Sequence, residues 1–316
     1  MSLSRIHGQA RALRLLKPLL ASRRLPPALL FFGLEGVGKG TTAIEFAKAL
    51  NCLKPSADGD GCDACASCTQ ADKGIDPDLK RVNAAYQAGL REEEAERQRT
   101  IRVDTARHVI KEMEMTSLTG RWKVAVLEDA ERLEIEAANA LLKSLEEPPP
   151  RTLWILASSR RERLLPTILS RCHRVPFSAL SDEDVVGVLQ AAGVPAAEAP
   201  RLAALAEGSP GRALDLRSLD LPEPEAWAGD PLAPFRLADG LPRELHLARP
   251  LVEAHLRRIA RRLRERDGPD SRKTRDGLRE ISRLSGFLRS NADPRLVLEL
   301  AALELQDSPR QAQDKA

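Results

Sequence analysis

The sequence predicts an α/β fold that gives way to an all-α one: a domain built on a parallel sheet, then helices alone. Three observations carry this. A glycine-rich loop, Gly33-Leu34-Glu35-Gly36-Val37-Gly38-Lys39-Gly40-Thr41, lies between the apolar run Leu29–Phe32 and the helix-like stretch Thr42–Leu50, which spells strand, loop, helix. Strand-like and helix-like segments then alternate to about residue 177, the pattern of a parallel sheet layered with helices. From Ser181 onward the apolar residues keep helical spacing only.

The totals agree. A chain of 316 residues exceeds one typical domain, so two or three are expected. With 42% hydrophobic but only 3% aromatic residues, the core must rest on Leu, Ala, Val and Ile. A net charge of +3 excludes a surface that grips polyanions everywhere and leaves only local patches for that role. No apolar run approaches the roughly 20 residues needed to span a bilayer. The first residues, Met1 to His7, lack the apolar core of a signal peptide, so a soluble cytoplasmic protein is expected.

In chain order, Ile6, Ala10, Leu13, Leu16, Leu19 and Leu20 predict a helix over 5–23, stopped by Pro26-Pro27. Leu79–Val82 is a short strand, and Glu92–Arg99 a charge run that reads as a solvated helix face or loop. Asp104 is placed to cap a helix carrying Ala106, Val109, Ile110 and Met113. Trp122–Asp129 is a buried strand ending in two carboxylates, Glu136–Leu145 a helix stopped by Pro148-Pro149-Pro150, and Thr152–Ala157 another buried strand with Ser158-Ser159 at its end. His173–Phe177 closes the strands, and Asp182-Glu183-Asp184 opens the first of the small helices that follow. Residues 221–242 are rich in proline and read as a joint. Beyond it, Val252, Leu256, Ile259 and Leu263 form an apolar stripe on a helix flanked by arginines between 257 and 266. Without interleaved aromatics for bases to stack on, those arginines read first as a solvated face. Two further helices, near 278–288 and 294–305, end the pattern.

The glycine loop carries the chemistry. Gly33, Gly36 and Gly38 let backbone N–H groups converge, and Lys39 with the positive end of the following helix balances an anion, so the implied ligand is a nucleotide phosphate such as that of ATP. The pattern calls for Ser or Thr directly after the lysine, to place a hydroxyl on magnesium; this chain has Gly40, with Thr41 one residue late. Small nucleotide kinases share the Gly-Lys-Gly-Thr ending, but they would not account for the rest of the chain. Glu128-Asp129 stands where P-loop ATPases keep a magnesium-holding Asp followed by a Glu that activates water. Here the order is inverted. Asp129 is one methylene shorter than the expected base, which sets its carboxylate back by roughly 1.5 Å, and misplacement on that scale costs about a hundredfold in rate.

Cys52, Cys62, Cys65 and Cys68 are four of the five cysteines, with Asp58-Gly59-Asp60-Gly61 as a turn within the longer spacer. Four thiolates close a tetrahedral zinc site, and two Cys-x2-Cys steps suit its geometry. No position is left open for water, so the expected zinc is structural. It would supply folding energy to a polar stretch that cannot build a core.

Taken together, the loop at 33–41, the cysteine module, Glu128-Asp129, the run Ala138–Pro149 and Ser170-Arg171-Cys172 resemble the bacterial clamp loader subunits of DNA polymerase III, a branch of the AAA+ family. The likeness runs from Ile6 to about Leu214, and Asn291–Leu296 looks like the family's final collar helix. It implies an AAA+ domain over 1–177 with its zinc module at about 52–68, a helical lid over 178–220 and a helical collar over 221–316. It also implies roles. The loop residues Gly33, Gly36, Gly38, Lys39, Gly40 and Thr41 cradle phosphate, Ser158 or Ser159 is a first sensor, Arg212 a second, and Arg171 an arginine finger that acts on a neighbour's nucleotide. Within the family, Gly40 and Glu128-Asp129 resemble the delta-prime type rather than the tau/gamma motor. The expected partners are tau/gamma and delta subunits in a hetero-pentameric ring, with the sliding clamp and primer-template DNA met through the assembled complex. The alternatives are an active tau/gamma-type ATPase and, more remotely, a small nucleotide kinase.

Overall fold

The computed structural model describes residues 2–94, 98, 100–119, 121–218, 233–241, 245–268, 271–290 and 292–306. They form two compact units, one of residues 1–203 with 207–212, the other of residues 204–206 with 213–316.

In the first unit, strands β1 (Ala28–Phe32), β2 (Leu79–Val82), β3 (Lys123–Leu127), β4 (Thr152–Ser158) and β5 (His173–Pro176) make one sheet in the order β2-β3-β4-β1-β5. Every pairing is parallel. All seven residues of β4 and all five of β3 are buried, as expected of strands covered on both faces. Register aligns Phe32 with Ser158 and Leu127 with Leu156. The segments leaving β3, β4 and β1 therefore emerge side by side at the carboxyl edge of the sheet, where ligands of open α/β sheets gather.

Helices cover both faces: α1 (Ala10–Ser22), α2 (Lys39–Asn51), α3 (Ala66–Asp72), α4 (Ala84–Arg91), α5 (Val103–Glu114), α6 (Ile135–Glu146) and α7 (Pro166–Arg171). On one face Trp154, Leu30 and Leu156 pack with Val109, Met113, Leu141 and Leu145 of α5 and α6. Burial of each such side chain is worth roughly 1.5–3 kcal/mol. The first helix starts later than its apolar spacing predicts. Gly8, at φ +67, breaks the chain between a 3-10 turn at Leu3–Arg5 and α1, and a Cβ there would stand 2.7 Å from Leu180. Asp104 is not a cap: it lies inside the first turn of α5, where its charge opposes the positive helix end. Helix α4 went unforeseen; Asn83 caps it, its side chain accepting from the Tyr86 N–H at 3.0 Å. The charge run at 92–99 lies partly outside the described residues.

Helices α8 (Asp182–Ala191), α9 (Ala199–Ala206) and α10 (Pro210–Ser218) follow the sheet. Ser181 caps α8 by accepting from the Asp184 N–H. In the second unit, α11 (Ala233–Asp239), α12 (Leu245–Asp267), α13 (Arg272–Arg289) and α14 (Pro294–Gln306) pack together. The stripe Val252, Leu256, Ile259 and Leu263 is buried as its spacing predicts, and Arg258 is buried beside it. Arg257 pairs with Glu253 and Arg261 with Glu265, one turn apart on α12. Gly277 lets α13 approach closely, since a Cβ there would lie 2.7 Å from Leu263. Most of the proline-rich joint falls outside the described residues. Among the described residues no helix is long and apolar enough to cross a membrane.

Candidate nucleotide site and metal centre

The loop after β1 turns on its glycines. Gly33, Gly36 and Gly38 have φ of +150, +72 and +96, and a Cβ on Gly33 would stand 2.2 Å from the Phe177 carbonyl oxygen. Lys39, the first residue of α2, is buried and folds back over the loop, donating to the carbonyls of Gly33 at 2.9 Å and Leu34 at 2.5 Å. Burial holds its pKa below the usual lysine value, against the pull of Glu131, Glu35 and Asp129. Thr41 is exposed, while the buried Thr42 donates to the Gly38 carbonyl. The loop is braced from far along the chain: the Ser209 hydroxyl donates to the Glu35 carbonyl at 2.8 Å, and the Gly211 N–H donates to the Gly36 carbonyl at 2.9 Å.

The carboxylates at the sheet edge already have partners. Glu128 receives the Arg81 guanidinium on one oxygen at 2.7 Å and the Asn83 amide on the other at 3.1 Å. Asp129 sits at φ +50 with Arg132 at 3.6 Å, and burial raises its pKa despite that arginine, with Glu131, Glu35 and Glu128 adding to the rise. Glu131 accepts from both the backbone N–H and the hydroxyl of Ser159. Burial alone would raise the pKa of Glu131, but these bonds outweigh it and lower it.

Of the remaining site residues, Ser158 and Arg212 lie against the loop: the Gly33 N–H donates to the Ser158 carbonyl at 3.3 Å, and a Cβ on Gly36 would stand 3.1 Å from the Arg212 backbone nitrogen. Ser158, buried at the end of β4, accepts from the Arg160 N–H. The Arg212 guanidinium pairs with Glu207 at 3.1 Å, with its backbone N–H on Ser209. Arg171, at the end of α7, pairs with Glu146 of α6 and also donates to the Thr167 carbonyl at 3.0 Å.

The four cysteines converge. Their sulfurs lie within 4.8 Å of one another, and Cys52 and Cys65 are 3.9 Å apart. A tetrahedron with ligand bonds of about 2.3 Å has edges of about 3.8 Å, so the cluster fits one metal ion held by four thiolates. Backbone N–H groups of Cys62 and Cys65 donate to the sulfurs of Cys52 and Cys62. Amides of Ala64 and Cys65 lower the pKa of Cys62; for Cys65 the amides of Cys68 and Leu53 overcome burial and bring it to about 6. Both shifts favour the ligating thiolate, whereas burial raises the pKa of Cys52 and Cys68, a cost that a bound cation would offset. Cys52 caps the end of α2, Cys65 caps the start of α3, and the module is tied to α2 by Lys48, whose ammonium meets Glu45 at 2.6 Å, Asp63 at 2.7 Å and Asp72 at 2.9 Å.

Residues 8–181 match the model of the family described as DNA polymerase III, delta subunit. The chain belongs to this family. It is 40% identical over 187 residues to the DNA polymerase III subunit delta' of Pseudomonas aeruginosa, a stretch covering 58% of this chain and 53% of that one. Against the subunit tau of Bacillus subtilis it is 32% identical over 180 residues, covering 57% of this chain and 30% of tau. The chain thus spans about half the length, or less, of these curated relatives. A solved DNA polymerase III gamma subunit-related protein from Thermotoga maritima aligns with a TM-score of 0.57 at 19% identity, over 94% of this chain and 99% of that one. That likeness supports the fold, and the expected architecture of a parallel sheet followed by helices holds.

For a member of the DNA polymerase III delta subunit family, three residues beside the loop went unread in the sequence: Arg81, Asn83 and Glu131. A cavity of about 690 Å³ also opens there, with Gly40, Thr41, Ile44, Arg81 and Tyr86 on its walls. Magnesium does not fit the two positions that the phosphate-loop pattern reserves for it. Gly40 offers no hydroxyl, and both oxygens of Glu128 are held by Arg81 and Asn83.

Proposed function

We propose that the chain is the delta-prime-type subunit of the DNA polymerase III clamp loader, a stator with little or no ATPase of its own that lends Arg171 to a neighbouring ATP site. The observation that carries this reading is the contrast between its carboxylates and its arginine. Glu128 and Glu131 are engaged by Arg81, Asn83 and Ser159 at the sheet edge, while Arg171, paired with the half-exposed Glu146, lies partly exposed at a helix end within an intact Ser-Arg-Cys. A planar guanidinium on a neighbour's γ-phosphate neutralises charge that develops during phosphoryl transfer, and it needs no nucleotide in its own subunit. In this reading residues 1–177 are the AAA+ domain, 178–220 its lid and 221–316 the collar of a hetero-pentameric ring with tau/gamma and delta subunits, through which the sliding clamp and primer-template DNA are met. Ser158 or Ser159 and Arg212 keep the sensor positions, and the ion of the four-cysteine cluster is zinc in a structural role. The retained Lys39 and glycines favour the second reading, a tau/gamma-type motor.

Turnover separates the two. The purified chain alone is expected to hydrolyse ATP negligibly; robust turnover abolished by Lys39→Ala would sink the stator. In a reconstituted loader, Arg171→Ala is expected to slow the site it serves by about 10³ or more, lowering total turnover by that site's share with assembly intact. Unchanged turnover removes the trans role.

A further inference from the structure

Three details meet at one point of the phosphate loop. A Cβ on Gly40 would lie 2.8 Å from Oε1 of Glu128, so the glutamate's carboxylate fills the space that a hydroxyl-bearing side chain after the lysine would use. That same oxygen receives Nε of Arg81 at 2.7 Å, and Asn83 secures the other at 3.1 Å. Asn83 is itself fixed by capping α4. The Arg81 side chain is 60% exposed and that of Glu128 16%. An exposed pair of this kind adds under about 1 kcal/mol to stability, so stability does not explain it. Its effect is occupancy.

We infer that Arg81 stands in for the divalent cation of this phosphate loop: a protein-borne positive charge closes the metal position between Gly40 and Glu128, and a divalent ion is excluded from it. Magnesium requires near-octahedral oxygen ligands at about 2.0–2.1 Å and gives up its waters reluctantly. Here one of its usual protein ligands is a glycine. The other is a carboxylate longer by a methylene, whose two oxygens accept from an arginine and an amide. The two departures from the ATPase pattern are therefore one change. The longer acid takes up the space that a side chain at residue 40 would claim, and Arg81 answers its charge from the neighbouring strand. Whatever anion enters the loop does so as a metal-free species, met by Lys39 and the backbone amides.

The probe is Mn²⁺, followed by its paramagnetic resonance in the presence of ADP, on the full chain. It prefers oxygen ligands, so the thiolate cluster does not compete. Wild-type protein and Arg81→Lys, which keeps the charge, are expected to hold no Mn²⁺ at the loop. Arg81→Ala is expected to admit it weakly, and Gly40→Ser/Glu128→Asp/Arg81→Ala to bind it at least tenfold more tightly than wild type. Wild-type protein that retains Mn²⁺ with ADP overturns the inference. So does a triple variant that melts like wild type yet gains no Mn²⁺. Arg81→Ala alone changes an exposed side chain and leaves the core intact, so equal exclusion by it and by Arg81→Lys also counts against the role of the charge. The stator reading depends on this loop being a phosphate loop, but the two fail differently: ATP turnover by the isolated chain breaks the stator, and metal binding without turnover breaks only the exclusion.

Discussion

Lys39 and Lys48 lie on one helix, and both are surrounded by carboxylates. Lys39 touches none of them: its ammonium donates to two loop carbonyls, and Glu131, Glu35 and Asp129 act on it at longer range. Lys48 touches three, and its side chain is wholly buried. Burial lowers the pKa of Lys39, and would lower that of Lys48 as well, but its direct bonds to Asp63, Glu45 and Asp72 reverse the sign. A helix of 13 residues thus holds, about 14 Å apart along its axis, a lysine free to change partners and one that is not. The first end suits a ligand that comes and goes. The second joins the four-cysteine module to the helix beside the sheet.

Removing the metal tests the second end most severely. Structural zinc sites contribute about 10–16 kcal/mol in isolated zinc-finger peptides, and residues 52–68 have little apolar burial to replace it. Elemental analysis of the purified chain is expected to give one zinc per molecule. A strong chelator is expected to expose four reactive thiols and lower the melting temperature, while circular dichroism retains most of the helix signal. Protein that arrives without metal, with four reactive thiols and unchanged melting, contradicts the site.

Next in size is Lys48→Met. It removes the lysine that Glu45, Asp63 and Asp72 share, and breaking a buried ion cluster in this way costs about 3–5 kcal/mol. Urea unfolding measures it; a loss under about 1 kcal/mol would show that the cluster is not what holds the module. The raised folded-state pKa adds a sign. The lysine's contribution is fully present below its unfolded value of about 10.4 and disappears only as pH rises through the higher folded value. The gap between wild type and variant should therefore stay constant from pH 7 to pH 10.

These two ends were not equally legible. The Cys-x2-Cys spacing and the strand-glycine-helix order are local, and the converging sulfurs and the β1-to-α2 turn follow from them. Lys48 gave no signal, because its partners Asp63 and Asp72 become neighbours only when the module folds back on α2. The same is true at the loop. Arg81 and Glu128 are 47 positions apart and meet because β2 pairs with β3 in parallel register, and Ser209 reaches Glu35 across 174 positions. Gly40 announced that the metal contact had changed, whereas what filled the space needed the sheet. Helix α4 was missed because it is eight residues long and its signal is a single asparagine cap.

The smallest expected effect sharpens the comparison most. Lys39→Met removes a charge that burial disfavours and two hydrogen bonds to carbonyls that the loop then leaves without that donor. Each hydrogen bond is worth about 1 kcal/mol net, and leaving an acceptor unsatisfied costs a similar amount, so the loss of charge burial offsets much of the change. Stability at pH 7 is expected to move by about 1 kcal/mol or less. The pH dependence runs opposite to that of Lys48. A lysine with a lowered folded-state pKa penalises the folded protein while both states are protonated, and the penalty fades as pH rises from the folded value toward the unfolded one. Wild-type protein should therefore gain stability relative to Lys39→Met as pH is raised toward 10.4, whereas it should hold a constant lead over Lys48→Met. If both variants keep a constant gap, the ammonium of Lys39 is as firmly held as that of Lys48, and α2 does not have one exchangeable end and one fixed end.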